Sequence, residues 1–263
     1  MTLARFEDVV LRRPDLRVPF PRRFRARLVG QTVLALRRRA KYLVAPLSSR
    51  DTLVMHLGMS GSFRVDFDAG RDQEPPAVNT DAEVRHDHVV FHMSSGAIVT
   101  FNDPRRFGFM DLVPAEKLTT HAVLSTLGPE PLSPEFGAET LARVCKGKKT
   151  SLKAALLDQR VVAGLGNIYA SEALHLAGLS PRRRSSTLAT ASARPTASAV
   201  RLAAAVKTVL QQAIARRERP YRGGRFRVYD REGERCGTPG CGGTIRRISQ
   251  AGRSTFYCPA CQR

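Results

Sequence analysis

Cys236-Gly237-Thr238-Pro239-Gly240-Cys241 and, further on, Cys258-Pro259-Ala260-Cys261 decide how this chain ends. The pattern is C-x4-C, sixteen residues, then C-x2-C. Two short cysteine pairs around a hairpin-length insert can set four thiolates about one tetrahedral Zn²⁺. The insert reads as that hairpin. Gly242-Gly243 turns away from the first pair, and Thr244–Ile248 and Ser254–Tyr257 read as strands joined at Gln250-Ala251-Gly252. A pair of disulfides is the alternative use of four cysteines, but the spacing favours metal. The hairpin also carries Arg246, Arg247 and Arg253, a surface suited to phosphates.

The rest of the composition points the same way. The 263 residues hold 43 Lys and Arg against 23 Asp and Glu, a formal charge of +20. Such an excess repels itself unless a polyanion neutralises it, and nucleic acid is the default polyanion. A general preference for arginine would explain some of the charge but not its clusters, at Arg22–Arg27, Arg37–Lys41, Lys146–Lys149, Arg182–Arg184 and Arg216–Arg227. No stretch is apolar for long enough to span a bilayer, and no signal-peptide run opens the chain. The expectation is a cytoplasmic protein with no membrane partner. Cys145, the fifth cysteine, reads as a buried thiol.

Along the chain the period changes once. Thr32–Leu36, Lys41–Leu47, Thr52–Met59, Ser62–Phe67, His88–Met93 and Ala97–Phe101 read as short strands, the pattern of an antiparallel sandwich. Residues 69–85 read as a polar surface loop. After Pro129–Pro134 the pattern is helical, over Ala138–Cys145, around Leu152 to Leu157, over Ile168–Leu176, and along the stripe from Leu202 to Ile214. Residues 183–196 read as a mobile linker. The fold expected is α+β and multidomain: a β-sandwich over 1–115, a helical domain over 130–220 and a zinc-finger hairpin over 228–263.

Four short motifs carry chemistry. Gly164-Leu165-Gly166-Asn167 joins two helical patterns; Asn167 is placed to cap the second, and the turn could hold a phosphate or be a plain interhelical turn. Lys148, Lys149 and Lys153 stand near it in sequence. His56–Gly61 sets Met59 between two glycines, either as a projecting side chain or as core filler. Asp103-Pro104-Arg105-Arg106-Phe107-Gly108 offers an apolar plug beside a cation, as a duplex-wedging loop needs, or else a turn with one buried ring. Lys41 enters an apolar strand from a basic run, half buried and available for acid–base work, or simply snorkelling to solvent.

Taken together and in order, these segments resemble the bacterial formamidopyrimidine-DNA glycosylase family. The resemblance runs through Arg38–Leu43, His56–Ser62, His86-Asp87-His88, Asp103–Gly108, Leu127–Leu132, Leu156–Leu174 and Val228–Glu234 into the finger, so it covers nearly the whole chain. It implies a β-sandwich, a helix–two-turn–helix domain and a C-terminal zinc finger, with DNA in the basic cleft between them. It implies acid–base and elimination roles for Lys41 and Arg253. His86, Arg105, Lys148 and Asn167 would bind the DNA backbone or its neighbourhood, and Met59, Arg105 and Phe107 would fill the gap left by a flipped nucleotide. One structural Zn²⁺ on Cys236, Cys241, Cys258 and Cys261, damaged or abasic duplex DNA as partner, and action as a monomer follow from the same resemblance.

Two departures qualify it. The family's Pro-Glu-Leu-Pro-Glu start, whose proline amine attacks C1′ and whose glutamate is an acid–base group, is not in this sequence, which opens Met1-Thr2-Leu3-Ala4-Arg5. The expectation is either a start placed about twenty residues late, the favoured reading, or a degenerate gene that has lost that segment, and a chain without it would be impaired. The segment Glu218–Gly224 is shorter than the family's base-covering loop, which bears on 8-oxoguanine selectivity. The resemblance therefore implies excision of oxidised purines and nicking by β,δ-elimination. A non-catalytic zinc-containing damaged-DNA-binding protein and an endonuclease VIII-like glycosylase for oxidised pyrimidines are the alternatives.

Overall fold

The computed structural model describes residues 1–67, 85–216 and 226–263. Residues 69–84 of the expected polar loop and the segment 218–224 lie outside them. The chain divides into two compact units, Met1–Ser125 and Thr126–Arg263.

The first unit is built from two antiparallel four-stranded sheets. One has the order β1 (Phe6–Leu11), β6 (Asp87–Met93), β7 (Ala97–Asn102), β5 (Ser62–Phe67); the other has β2 (Arg37–Arg39), β3 (Tyr42–Pro46), β4 (Asp51–His56), β8 (Phe109–Pro114). Their facing side chains, among them Phe6, Val9, Leu53, Met55, Phe91, Val99, Phe101 and Met110, form one buried core. Short helix α1 (Phe24–Leu28) adds Phe24 and Leu28 to it.

Three strands escaped the sequence pattern, and one of them, β2, lies in a run read only as a basic cluster. In β1 the register shifts between Phe6 and Asp8, which breaks the alternation that identifies a strand. In β8 Asp111 interrupts a short apolar run. The expected strand at Thr32–Leu36 is not one. Thr32 and Val33 make isolated bridges to different partners, and Leu34 and Leu36 face solvent.

The second unit packs helices α2 (Ala138–Cys145), α3 (Leu152–Leu157), α4 (Asn167–Leu176) and α5 (Ala197–Ala215) about Leu141, Leu152, Leu156, Leu174, Leu202 and Val206. Cys145 is buried in the same cluster, and burial raises its thiol pKa. The Ser151 hydroxyl caps α3 by accepting from the Ala154 N–H. Residues 183–196 are not a loose linker. Ser185–Leu188 form a 3-10 turn, Leu188 is a core residue, and Ala189 bridges Pro195.

The chain ends in the hairpin β9 (Arg246–Gln250) and β10 (Arg253–Tyr257). Gln250 pairs with Arg253 across Ala251-Gly252, both at positive φ, which is the tight primed turn that matches strand twist. Helix α4 carries this finger. The Glu172 carboxylate, 5% exposed, accepts the backbone N–H groups of Arg227, Val228 and Tyr229 at 2.7, 2.9 and 3.0 Å. Glu172→Ala should strand those donors and lower stability by about 2–3 kcal/mol. Urea unfolding followed by circular dichroism measures it, and an unchanged midpoint would count against this anchor.

Candidate nucleic-acid interface and metal centre

Strand register gathers the candidate residues of the first unit. Tyr42 pairs with His56 and His56 with Phe109, so the turn holding Lys41, the Leu57–Gly61 loop and the Arg105–Gly108 loop lie at one end of their sheet. In the other sheet Asp87 pairs with Asn102, and the Asp103 N–H donates to the His86 carbonyl at 3.0 Å. His86 and Asp103 thus leave the second sheet side by side.

Asp103 locks these loops together. Its side chain is fully buried. One carboxylate oxygen accepts from the Ser60 hydroxyl at 2.5 Å and the other from the Gly108 N–H at 2.8 Å. Ser60 Oγ in turn accepts the Arg105 N–H at 3.2 Å. The His88 ring contributes a hydrogen bond between Nε2 and the Asp103 carbonyl at 2.9 Å. Gly58, at φ +67°, lies so close to the Phe107 and Gly108 backbone that a Cβ would collide with it.

What this frame presents is apolar and cationic. Met59 is 64% exposed and Phe107 39% exposed. The Arg105 guanidinium stacks 4.8 Å from the Phe107 ring centroid. Met59 is therefore not core filler, and Phe107 is not a core ring. Lys41 is exposed rather than half buried, on a turn where Ala40 adopts φ 53°. Its charge acts on the neighbouring His56, whose pKa falls through burial first and then through Lys41 and Arg17.

In the second unit, Asn167 does not cap α4. Gly166 occupies the N-cap position, and Asn167 is the first helical residue. Its side-chain N–H is thereby released to donate to the Ser254 carbonyl at 3.0 Å, one residue beyond Arg253. Lys153 is not a surface cation either. It is 1% exposed and donates to the same Ser254 carbonyl at 2.9 Å and to Thr255 Oγ1 at 2.7 Å. Burial, helped by the nearby Arg253 charge, brings its pKa down to about 8. In the Gly164–Gly166 turn, the Gly164 N–H is bonded to Gln159 Oε1 at 2.8 Å and is not offered to a ligand. Gly164 itself sits at φ +80°. Lys148 lies half-exposed beyond α2, after Gly147 at φ 69°. So Asn167 and Arg253 meet through Ser254, and no direct contact joins Lys148 to them among the described residues.

The four finger cysteines converge. Their sulfurs all lie within 4.8 Å of one another. Cys236 and Cys261 are 3.8 Å apart, and Cys241 and Cys258 are 3.6 Å apart. Four sulfurs about 2.3 Å from a tetrahedral zinc would be separated by about 3.8 Å, whereas a disulfide needs about 2 Å. Gly243 leaves room for this, since a Cβ there would meet Cys258 Sγ at 2.7 Å. The thiols do not ionise alike. Burial tends to raise Cys236, but hydrogen bonds from Thr238 and His175 outweigh it and bring it to about 6. Cys261 is driven strongly upward by burial and by its neighbouring sulfurs. Only a cation can hold all four as thiolates.

Asp103, Ser60, Lys153, Glu172 and His175 were not picked out from sequence as site residues, although Lys153 was noted among the basic residues near the turn. Each acts through a partner far along the chain, so no local spacing marks it.

Basic loop tips on a β-sandwich, a helical unit and a four-cysteine finger define a zinc-bearing DNA-binding class. The N-terminal domain model of formamidopyrimidine-DNA glycosylase matches residues 1–110, its H2TH domain matches 127–222, and the zinc finger found in FPG and IleRS matches 233–263. The chain belongs to the formamidopyrimidine-DNA glycosylase family. It is 57% identical to a formamidopyrimidine-DNA glycosylase of Bradyrhizobium diazoefficiens over 269 residues, covering 96% of this chain and 90% of that protein. It is 54% identical to one from a Methylobacterium strain, covering 98% and 92%. A Lactococcus lactis formamidopyrimidine-DNA glycosylase bound to DNA with an abasic site superposes with a TM-score of 0.81 at 26% identity, over all of this chain and 94% of that one. Another, bound to Fapy-dG DNA, gives 0.80 at 27% identity, over 99% and 93%. Among the described residues no helix is long and apolar enough to cross a membrane.

The buried Lys153 sets a pH signature. Its folded pKa is near 8, below its ordinary value of 10.5. Between those values the unfolded chain holds more protons, so this group adds stability as pH rises. The unfolding free energy of wild type relative to Lys153→Met should climb from pH 8 to pH 10, and a flat difference would contradict the burial. Metal analysis should find one zinc per chain. The finger core counts only five buried residues, two of them cysteines, too few to stand without metal. Chelation should therefore abolish hydrogen-exchange protection along β10, and retained protection would show that zinc is dispensable.

Proposed function

We propose that this protein excises oxidised purines, 8-oxoguanine and formamidopyrimidines, from duplex DNA and nicks the strand by β,δ-elimination. By family it is a DNA glycosylase and AP lyase of base-excision repair. The observation that carries the residue-level reading is the Asp103–Ser60 frame, which holds Met59, Arg105 and Phe107 outward on two adjoining loops. An exposed apolar pair beside a guanidinium suits the gap left by an everted nucleotide and its orphaned partner.

Lys41 takes the acid–base steps beside the sugar, and Arg253 grips the flanking phosphates for the final elimination. His86, Lys148 and Asn167 bind the backbone. A Schiff base formed by displacement of the base links the two reactions. One chain acts per lesion, in the bacterial cytoplasm, where reduced cysteines and DNA are both at hand. The name its relatives share favours purine lesions over the endonuclease VIII-like alternative.

The test uses protein expressed from its own gene. Duplexes with 8-oxoguanine, an oxidised pyrimidine or an abasic site are incubated with it, and borohydride traps any Schiff base. Excision and trapping on 8-oxoguanine are expected, and the 263-residue polypeptide run alongside reports whether residues beyond it supply the amine. Excision confined to the pyrimidine lesion would overturn the substrate assignment, and binding without trapping would favour the non-catalytic alternative. Binding should weaken steeply with salt, and Arg253→Ala should reduce the slope of log K against log salt by about 0.9. An unchanged slope would remove Arg253 from the phosphate contacts.

A further inference from the structure

His175 lies on the last turn of α4, eight residues beyond Asn167, and is 6% exposed. Its Nε2 is 3.4 Å from Cys236 Sγ, 3.9 Å from Cys261 Sγ and 3.3 Å from Thr238 Oγ1. It is not among the four side chains that converge on the metal position. Its other nitrogen, Nδ1, is buried and has no partner.

These contacts select one tautomer. Thiolates in a zinc site are acceptors, and a neutral imidazole has one N–H to give. With the proton on Nε2 the ring donates to sulfur and leaves only an acceptor lone pair unmatched at Nδ1. With the proton on Nδ1 a buried donor would be orphaned, the rarer and costlier arrangement. The Thr238 hydroxyl lies 3.4 Å from Cys236 Sγ and accepts from it as a thiol; once that sulfur is a thiolate it can only accept, and the hydroxyl becomes a second donor to it. Hydrogen bonds to a ligating atom withdraw charge from it, fix its orientation and tune the metal's hold.

We propose that His175 is an outer-sphere donor of the zinc centre, its Nε2–H shared between the Cys236 and Cys261 thiolates, and that it fastens the C-terminal end of α4 to the metal. It is a positioning residue and not a ligand. The helix that bears Asn167 at its first turn is thus bonded to the metal centre at its last. Metal occupancy thereby steadies both ends of the contact between α4 and the finger. The inference rests on the four-cysteine reading of the finger and not on the lesion assigned above.

The test compares wild type, His175→Phe and His175→Gln in the full chain. Phenylalanine keeps an aromatic ring of similar size without the N–H, and the glutamine amide can reach the same sulfur and restore the donor. Zinc affinity is measured by chelator competition, and the thiolate-to-metal charge-transfer band is recorded after substitution with Co²⁺. His175→Phe should lose about 10–100-fold in zinc affinity and shift the cobalt band. His175→Gln should recover most of both. If His175→Phe does not fold, His175→Gln is compared with His175→Asn, whose amide is too short to reach the sulfur. Equal affinities and superimposable cobalt spectra in either comparison would overturn the proposal. So would a wild-type cobalt spectrum with three thiolates and one nitrogen, since His175 would then be a ligand.

Discussion

Four sulfurs crowded within 4.8 Å cannot all carry charge unless a cation stands among them. The finger depends on that constraint, because its own core is a handful of side chains around Val228, Ile245 and Phe256. The consequences spread along α4. Asn167 grips the Ser254 carbonyl, Glu172 gathers three N–H groups from the bend at Arg227–Tyr229 that leads into the finger, and His175 reaches the Cys236 sulfur. Gln262 extends the series, accepting from the Cys258 N–H and donating to the Leu179 carbonyl just past the helix. The finger is therefore held to the helix at several points, and Arg253, immediately after the tight turn and next to the anchored Ser254, projects from a fixed base.

The first unit solves a similar problem without metal. The side chains proposed to meet DNA, Met59 and Phe107 among them, stand exposed on loops, where ordering costs conformational entropy. Asp103 supplies the order. A buried carboxylate with donors on both oxygens, beside glycines that let the loop backbones touch, fixes two loops relative to two sheets. Met59 and Phe107 can then remain exposed without collapsing onto the core.

The sequence disclosed the parts of this protein that have local spacing. The cysteine pairs, the hairpin between them, the short β-forming runs of β5, β6 and β7 and the helical period after Pro134 all lie within short windows. The exposed positions of Met59 and Phe107 were legible only as options, since a ring or a thioether flanked by glycines fits core and surface equally well. What escaped depends on distant partners. A strand with a register shift hides its period, as β1 does. Lys153 looked like one more surface cation in a basic run, yet it is buried against Ser254 and Thr255 a hundred residues away. Asn167 looked like a helix cap; Gly166 takes that position and leaves its amide for the finger.

That metal in the finger fixes Asn167 on α4 and Arg253 on β10, the side chains proposed to meet DNA, is the point on which the rest turns. It is tested most directly by titrating zinc into metal-depleted protein while following two quantities. One is hydrogen-exchange protection of Arg253–Tyr257, and the other is affinity for a duplex carrying an abasic-site analogue at moderate salt. The account predicts that both rise together and saturate at one zinc per chain. Full DNA affinity in zinc-free protein whose β10 amides exchange freely would contradict it.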